Sequence, residues 1–139
     1  MSFEQYKKDM LKLIDHALER ELHLNKYVKD STQDVEVMNK EHKCGSPACL
    51  AGYLPEVFPD RFEWYKSSSI GIKVRVIGKD CGTISDLNHH LGGCSGPFFF
   101  SINGTNVSDI KVVKQRRKVL EASHSFEELN DLIDIINGN

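Results

Sequence analysis

Apolar residues recur at helical spacing in the first twenty positions: Phe3, Tyr6, Met10, Leu13, Ile14 and Ala17, with Lys7, Lys8, Lys12, Asp15 and Glu19 between them. One apolar stripe and one charged side predict an amphipathic helix. Ser2 and Gln5 stand three apart at its start, the spacing of a capping box. The pattern fades near Asn25. Residues 29 to 43 are polar, with Val35, Val37 and Met38 as the only apolar anchors, and read as a loop carrying a short strand. Ser46-Pro47 then has the form of a helix start, a hydroxyl cap followed by proline at the first helical position. Pro55 and Pro59 limit that helix, and Phe58, Phe62, Trp64 and Tyr65 continue it as an aromatic-rich stretch.

The period changes at Ile70, Ile72, Val74 and Val76, which alternate with Gly71, Lys73 and Arg75. Alternation places one face of a strand in a core, and Gly78-Lys79-Asp80 turns the chain after it. Thr83 or Ser85 starts a short helix that runs to Leu91 and stops at Gly92-Gly93. Phe98 to Ile102 reads as another strand, and Asn103-Gly104 as a tight turn. Ser108 caps a helix carrying Ile110, Val113 and Leu120; Ser125 with Glu128 forms a capping box for Phe126, Leu129, Leu132, Ile133 and Ile136. The expected fold class is α+β: a mainly helical single domain with a small central sheet or hairpin.

Composition adds bounds. The chain has 139 residues, 40% hydrophobic and 27% charged, with a formal net charge of -2. That length suits one domain with a real core. The weak negative charge offers no general attraction to nucleic acid or to an anionic membrane. No apolar run reaches the ~18 residues that span a bilayer, and the first eight residues lack the apolar centre of a secretion signal. The expected location is the cytoplasm, where Cys44, Cys49, Cys81 and Cys94 stay reduced.

The densest chemistry lies in His42-Lys43-Cys44-Gly45-Ser46-Pro47-Ala48-Cys49-Leu50-Ala51-Gly52-Tyr53. With Ser46 as cap, Cys49 falls in the first helical turn, where the helix dipole lowers a thiol pKa. Ala48, Cys49 and Gly52 also make a face small enough for a second backbone to approach, and a buried cysteine as compact filler is the favoured reading. Catalysis would need Cys44 or Cys49 as nucleophile with His89 or His90 as base. Zinc would need Cys44, Cys49, Cys81 and Cys94, whose spacing departs from a paired knuckle. Neither a Walker loop nor a dinucleotide fingerprint is present, and no cofactor is expected. The cysteine turn has an echo at Cys81-Gly82-Thr83 with Leu87 and Leu91, which reads as two helices starting alike.

Two further surfaces stand out. Gly92, Gly93, Ser95 and the run Phe98-Phe99-Phe100 place aromatic groups on both sides of a strand beside a permissive loop, the composition of a partner or oligomer contact. With Ser46, His89 and His90 they form the expected binding surface. Lys111, Lys114, Arg116, Arg117 and Lys118 crowd one helix but span several of its sides, with Asp109 and Glu121 beside them, and read as a solvated, partly paired surface.

Cys44-Gly45-Ser46-Pro47-Ala48-Cys49-Leu50-Ala51-Gly52 resembles a motif of short phage and bacterial proteins: a Cys-Gly-Ser/Thr turn, a second cysteine three residues on, then small residues and a glycine. The resemblance covers mainly residues 42 to 60. It implies a small accessory protein, encoded by a phage or mobile element and active in the host cytoplasm. Such a protein acts by binding a host defence or regulatory macromolecule or a small phosphorylated signalling ligand. A thiol-dependent enzyme and a zinc-stabilised module are the alternatives, and nucleic acid and membrane are not expected partners.

Overall fold

The computed structural model describes residues 3–20, 32–45, 50–67, 71–79, 90 and 110–136. Helix α1 spans Phe3–Glu19 and buries Tyr6, Met10, Leu13, Ile14 and Ala17, the stripe read from the sequence. Asp9 is buried with them, because Gln5 Nε2 donates to its Oδ1 at 2.9 Å and Arg61 Nη1 reaches Oδ2 at 3.1 Å. Gln5 thus points along the helix to Asp9, and Ser2, its expected capping partner, lies outside the described residues.

Val35–Glu41 is a helix, α2, where a loop and short strand were expected. The overlooked signal is Asp34, whose side chain accepts the N–H of Glu36 and Val37 and so satisfies amides that a helix start leaves free. At the other end His42 takes a left-handed backbone (φ 54°) and donates its N–H to the Met38 carbonyl.

A 3-10 turn, Ala51–Tyr53, leads into the short helix α3, Leu54–Val57. Pro55 belongs to the first turn of α3, so it opens this helix rather than limiting an earlier one; a missing N–H costs nothing there. Ser46, Pro47 and Cys49 lie outside the described residues. The aromatic stretch is not helical: Phe62–Ser67 forms strand β1, with Phe62 and Trp64 buried on one face. Strand β2, Gly71–Val76, pairs antiparallel with it, Trp64 opposite Val74. Ile72 and Val74 are buried as their alternation requires, and Gly78 turns the chain at φ 93°.

Helix α2 covers the far edge of β1. Asn39 of α2 takes the Trp64 N–H on Oδ1 and donates from Nδ2 to the Trp64 carbonyl, both at 2.9 Å. A side-chain amide thereby completes the hydrogen bonding that a neighbouring strand would supply. Indoors, Trp64 Nε1 donates to the Gly52 carbonyl at 2.9 Å, tying the sheet to the 3-10 turn.

The chain closes with α4, Ile110–Ala122, and α5, Phe126–Ile136. Ser125 Oγ accepts the Glu128 N–H at 3.1 Å, the cap expected from the sequence, and Leu129 and Ile133 enter the core. Phe126 packs edge-on against Phe3 with ring centres 5.0 Å apart, which seats α5 on α1. Lys7 Nζ donates to the carbonyls of Glu121 and Ser123, so a lysine of α1 caps the end of α4. Arg116 is not part of a solvated surface: it is 2% exposed, and burial holds its pKa below the ordinary arginine value. Ile110 is 49% exposed.

Five helices and one two-stranded antiparallel sheet among the described residues make a mainly helical α+β fold around a continuous apolar core. Among these residues no helix is long and apolar enough to cross a membrane. The expected helix up to Leu91, the Phe98–Ile102 strand and the Asn103-Gly104 turn lie outside them, apart from His90.

Candidate functional site

Cys44 is fully buried at the start of the cysteine turn, and three side chains hold its backbone and sulfur. Its N–H donates to Glu56 Oε2 at 2.9 Å, and its carbonyl accepts from Arg20 Nη2. Gln33 Nε2 points at the sulfur from 3.8 Å, while Gln33 Oε1 accepts the N–H of Gly45 at 2.7 Å. The other Glu56 oxygen meets His16 Nε2 at 2.9 Å and Arg20 Nη1 at 3.5 Å.

Each holder comes from a different stretch of the chain. His16 lies on α1, one turn before Arg20; Gln33 precedes the α2 cap; Glu56 rides on α3, fixed by the buried Leu54 and Pro55. The Glu56 side chain is only 8% exposed, so its carboxylate needs these donors in place of water. Arg20 also lies over the Tyr53 ring, 5.5 Å from its centre, which limits where its guanidinium can go.

The Gln33 side chain lies close over position 45. A Cβ there would stand 2.7 Å from Gln33 Oε1, inside contact distance. Beside this wall opens a pocket of about 380 Å³. Helix α2 contributes Asp34, Val37, Met38 and Glu41; Gln33 and Gly45 face them, with Lys43 at the turn. Of its lining the sequence singled out Lys43 and Gly45 in the cysteine turn and Val37 and Met38 as apolar anchors, but not Gln33, Asp34 or Glu41. The only clue there was an aspartate before a short apolar–polar run, and that clue was read as loop.

Of the residues expected to act, Cys44 and His90 are described. They belong to separate groups of contacts. His90 packs edge-on against Phe62 with ring centres 5.3 Å apart, and its carbonyl accepts Arg61 Nη2 at 3.2 Å. The imidazole in the Cys44 group is that of His16, which shares Glu56 with the Cys44 N–H. Ser46, Cys49, Cys81, His89, Gly92, Gly93, Cys94, Ser95, Phe98, Phe99 and Phe100 lie outside the described residues. Among the described residues no three His, Cys, Asp or Glu side chains cluster in a way that could hold a metal ion.

The site therefore has a fixed wall, an apolar floor and charged ends. Such an arrangement can hold a complementary group without rearranging, because its backbone is already tied down. No protein-family model matches the chain, and no curated protein or solved structure is similar to it.

Proposed function

We propose that this chain is a binding protein that acts by occupying a protein partner, not by transforming a substrate. We take it to be a phage-encoded accessory factor whose partner is a host defence or regulatory protein. The phage origin rests on the likeness of the cysteine motif; the binding role is supported by the pocket beside Gly45. The carrying observation is that Arg20, Gln33 and Glu56 are all engaged in fixing the Cys44-Gly45 backbone next to that open pocket. A wall held this way favours recognition, since little freedom is lost on binding. The charges of the described lining residues favour a protein over a phosphorylated ligand: two carboxylates, Asp34 and Glu41, stand against one ammonium, that of Lys43.

The test separates binding from thiol catalysis. Full-length chain carrying Cys44→Ala should stay folded, capture the same partner from a bacterial host lysate as the native chain, and keep its biological effect. A folded Cys44→Ala chain that still captures the partner but loses the effect would overturn this reading in favour of thiol chemistry. A native chain that captures nothing even after crosslinking would overturn it outright.

A further inference from the structure

We infer that the pocket beside the cysteine turn is a docking site for an extended segment of the partner in which an aliphatic side chain lies between two basic ones. This rests on the binding reading above and adds where the partner docks and by what chemistry. Asp34, Val37, Met38 and Glu41 are spaced three, four and seven residues apart, so one side of α2 presents them together. Met38 is buried as the floor, whereas Val37 is 46% exposed, a large apolar group left open at the pocket. An aliphatic side chain set against these two would remove apolar surface from water on both partners. The volume, about 380 Å³, falls in the range of sites that enclose a small group.

The ends of this floor carry the specificity. Asp34 and Glu41 are separated by seven residues, about 10 Å along a helix axis. Neither makes an ion pair among the described residues. Asp34 uses Oδ1 for the amides of α2, which leaves its charge in place. An extended chain advances roughly 3.4 Å per residue and turns every second side chain to the same side, so two long, flexible cations four residues apart bracket an aliphatic residue on that side and can converge on the two carboxylates. Acidic or phosphorylated segments would face two like charges against the one opposite charge of Lys43 among the described lining residues. The opposite wall, Gln33 with Gly45, is fixed before anything binds.

The experiment uses full-length chain with labelled Val and Met methyl groups, followed by NMR. The probe is a capped pentapeptide of arginine, glycine, leucine, glycine and arginine. Its controls replace both arginines by glutamate, or the leucine by serine. The expected result is saturable shifts at the Val37 and Met38 methyls with the basic peptide, and binding about tenfold weaker for each control. Glu41→Lys, at an exposed position, should reduce or reverse the preference between basic and acidic peptides. Silent methyls, equal binding of the acidic peptide, or an unchanged preference in Glu41→Lys would each overturn the site. Shifts that depend on protein concentration without peptide would make a second copy the occupant and overturn it too. Folded Val37→Asp chain that still captures the host partner would remove this site while leaving the binding reading intact. Peptide binding by a chain that captures no partner would do the opposite.

Discussion

Glu56 accepts the backbone N–H of Cys44 at 2.9 Å, joining α3 to the turn that precedes it by twelve residues. The same carboxylate receives His16 of α1 and Arg20, which follows α1, on its other oxygen, and Arg20 returns to the Cys44 carbonyl. One nearly buried acid thus links the first helix, the cysteine turn and α3.

Removing that acid should be costly. In Glu56→Ala the Cys44 amide loses its acceptor, while His16 and Arg20, each about a third exposed, regain part of their hydration. A loss of about 2 kcal/mol is expected, in the range of hydrogen bonds to a charged group. Glu56→Gln should lose about half as much, because its carbonyl can still take the Cys44 N–H. Urea denaturation gives the stability, and faster hydrogen exchange at the Cys44 amide should accompany it.

Burial predicts the behaviour of the Cys44 thiol. In native chain it should resist alkylation by iodoacetamide, and react readily once urea unfolds the chain, as read by peptide mass spectrometry. Cys44→Ala should cost about 1 to 2 kcal/mol through the lost sulfur contacts. Rapid alkylation of native Cys44 would contradict its place in the core.

Asn39 should matter more than a polar residue on a short helix normally does. Asn39→Ala leaves the Trp64 N–H and carbonyl without their partners at the edge of β1, with an expected cost of about 1 to 3 kcal/mol. Asn39→Asp can still accept from the N–H but sets a carboxylate against the carbonyl, so it should not restore stability. Hydrogen exchange at the Trp64 amide is the direct reading.

Arg117 grips Asp15 through Nε at 2.6 Å and Nη2 at 3.1 Å, and Glu121 through Nη1 at 3.0 Å. The hydrogen bond to Asp15 leads the causes that raise its pKa above the ordinary arginine value. A base whose pKa is raised on folding contributes stability below its unfolded value and loses it only as pH climbs through the folded one. Any contribution is therefore flat from neutral pH to about pH 11, since arginine stays protonated there. Both partners are well exposed, so Arg117→Ala should cost under about 1 kcal/mol, and less in high salt. A steep pH dependence between neutral pH and about pH 11 that vanishes in Arg117→Ala would refute this sign.

The long helices and β2 were legible because their apolar positions repeat at the period of the element. α1 buries most of the stripe that periodicity names, while α5 buries Leu129 and Ile133 of its stripe and β2 buries Ile72 and Val74. Shorter elements escaped. β1 offers only Phe62 and Trp64 as an alternating pair, too few to distinguish from an aromatic turn of helix. α2 is two turns long, and its start depends on one aspartate cap.

Polar residues at the core were misjudged for a related reason. Periodicity assigns every charge to the outside, yet Asp9 and Arg116 are inside and Lys7 caps a distant helix. Each depends on surroundings supplied by other parts of the chain.

What the linear order of residues determined by itself was local: which stretches have one apolar side, where a hydroxyl can cap a helix, and where glycine lets the chain turn. The tertiary structure decided which distant groups meet. Arg20, Gln33 and Glu56 reach Cys44 and Gly45 only after α1, α2 and α3 have packed, and the pocket exists only between α2 and the turn they hold. Periodicity reports how each segment divides water from core, whereas a hydrogen bond between remote side chains depends on how those segments are then placed.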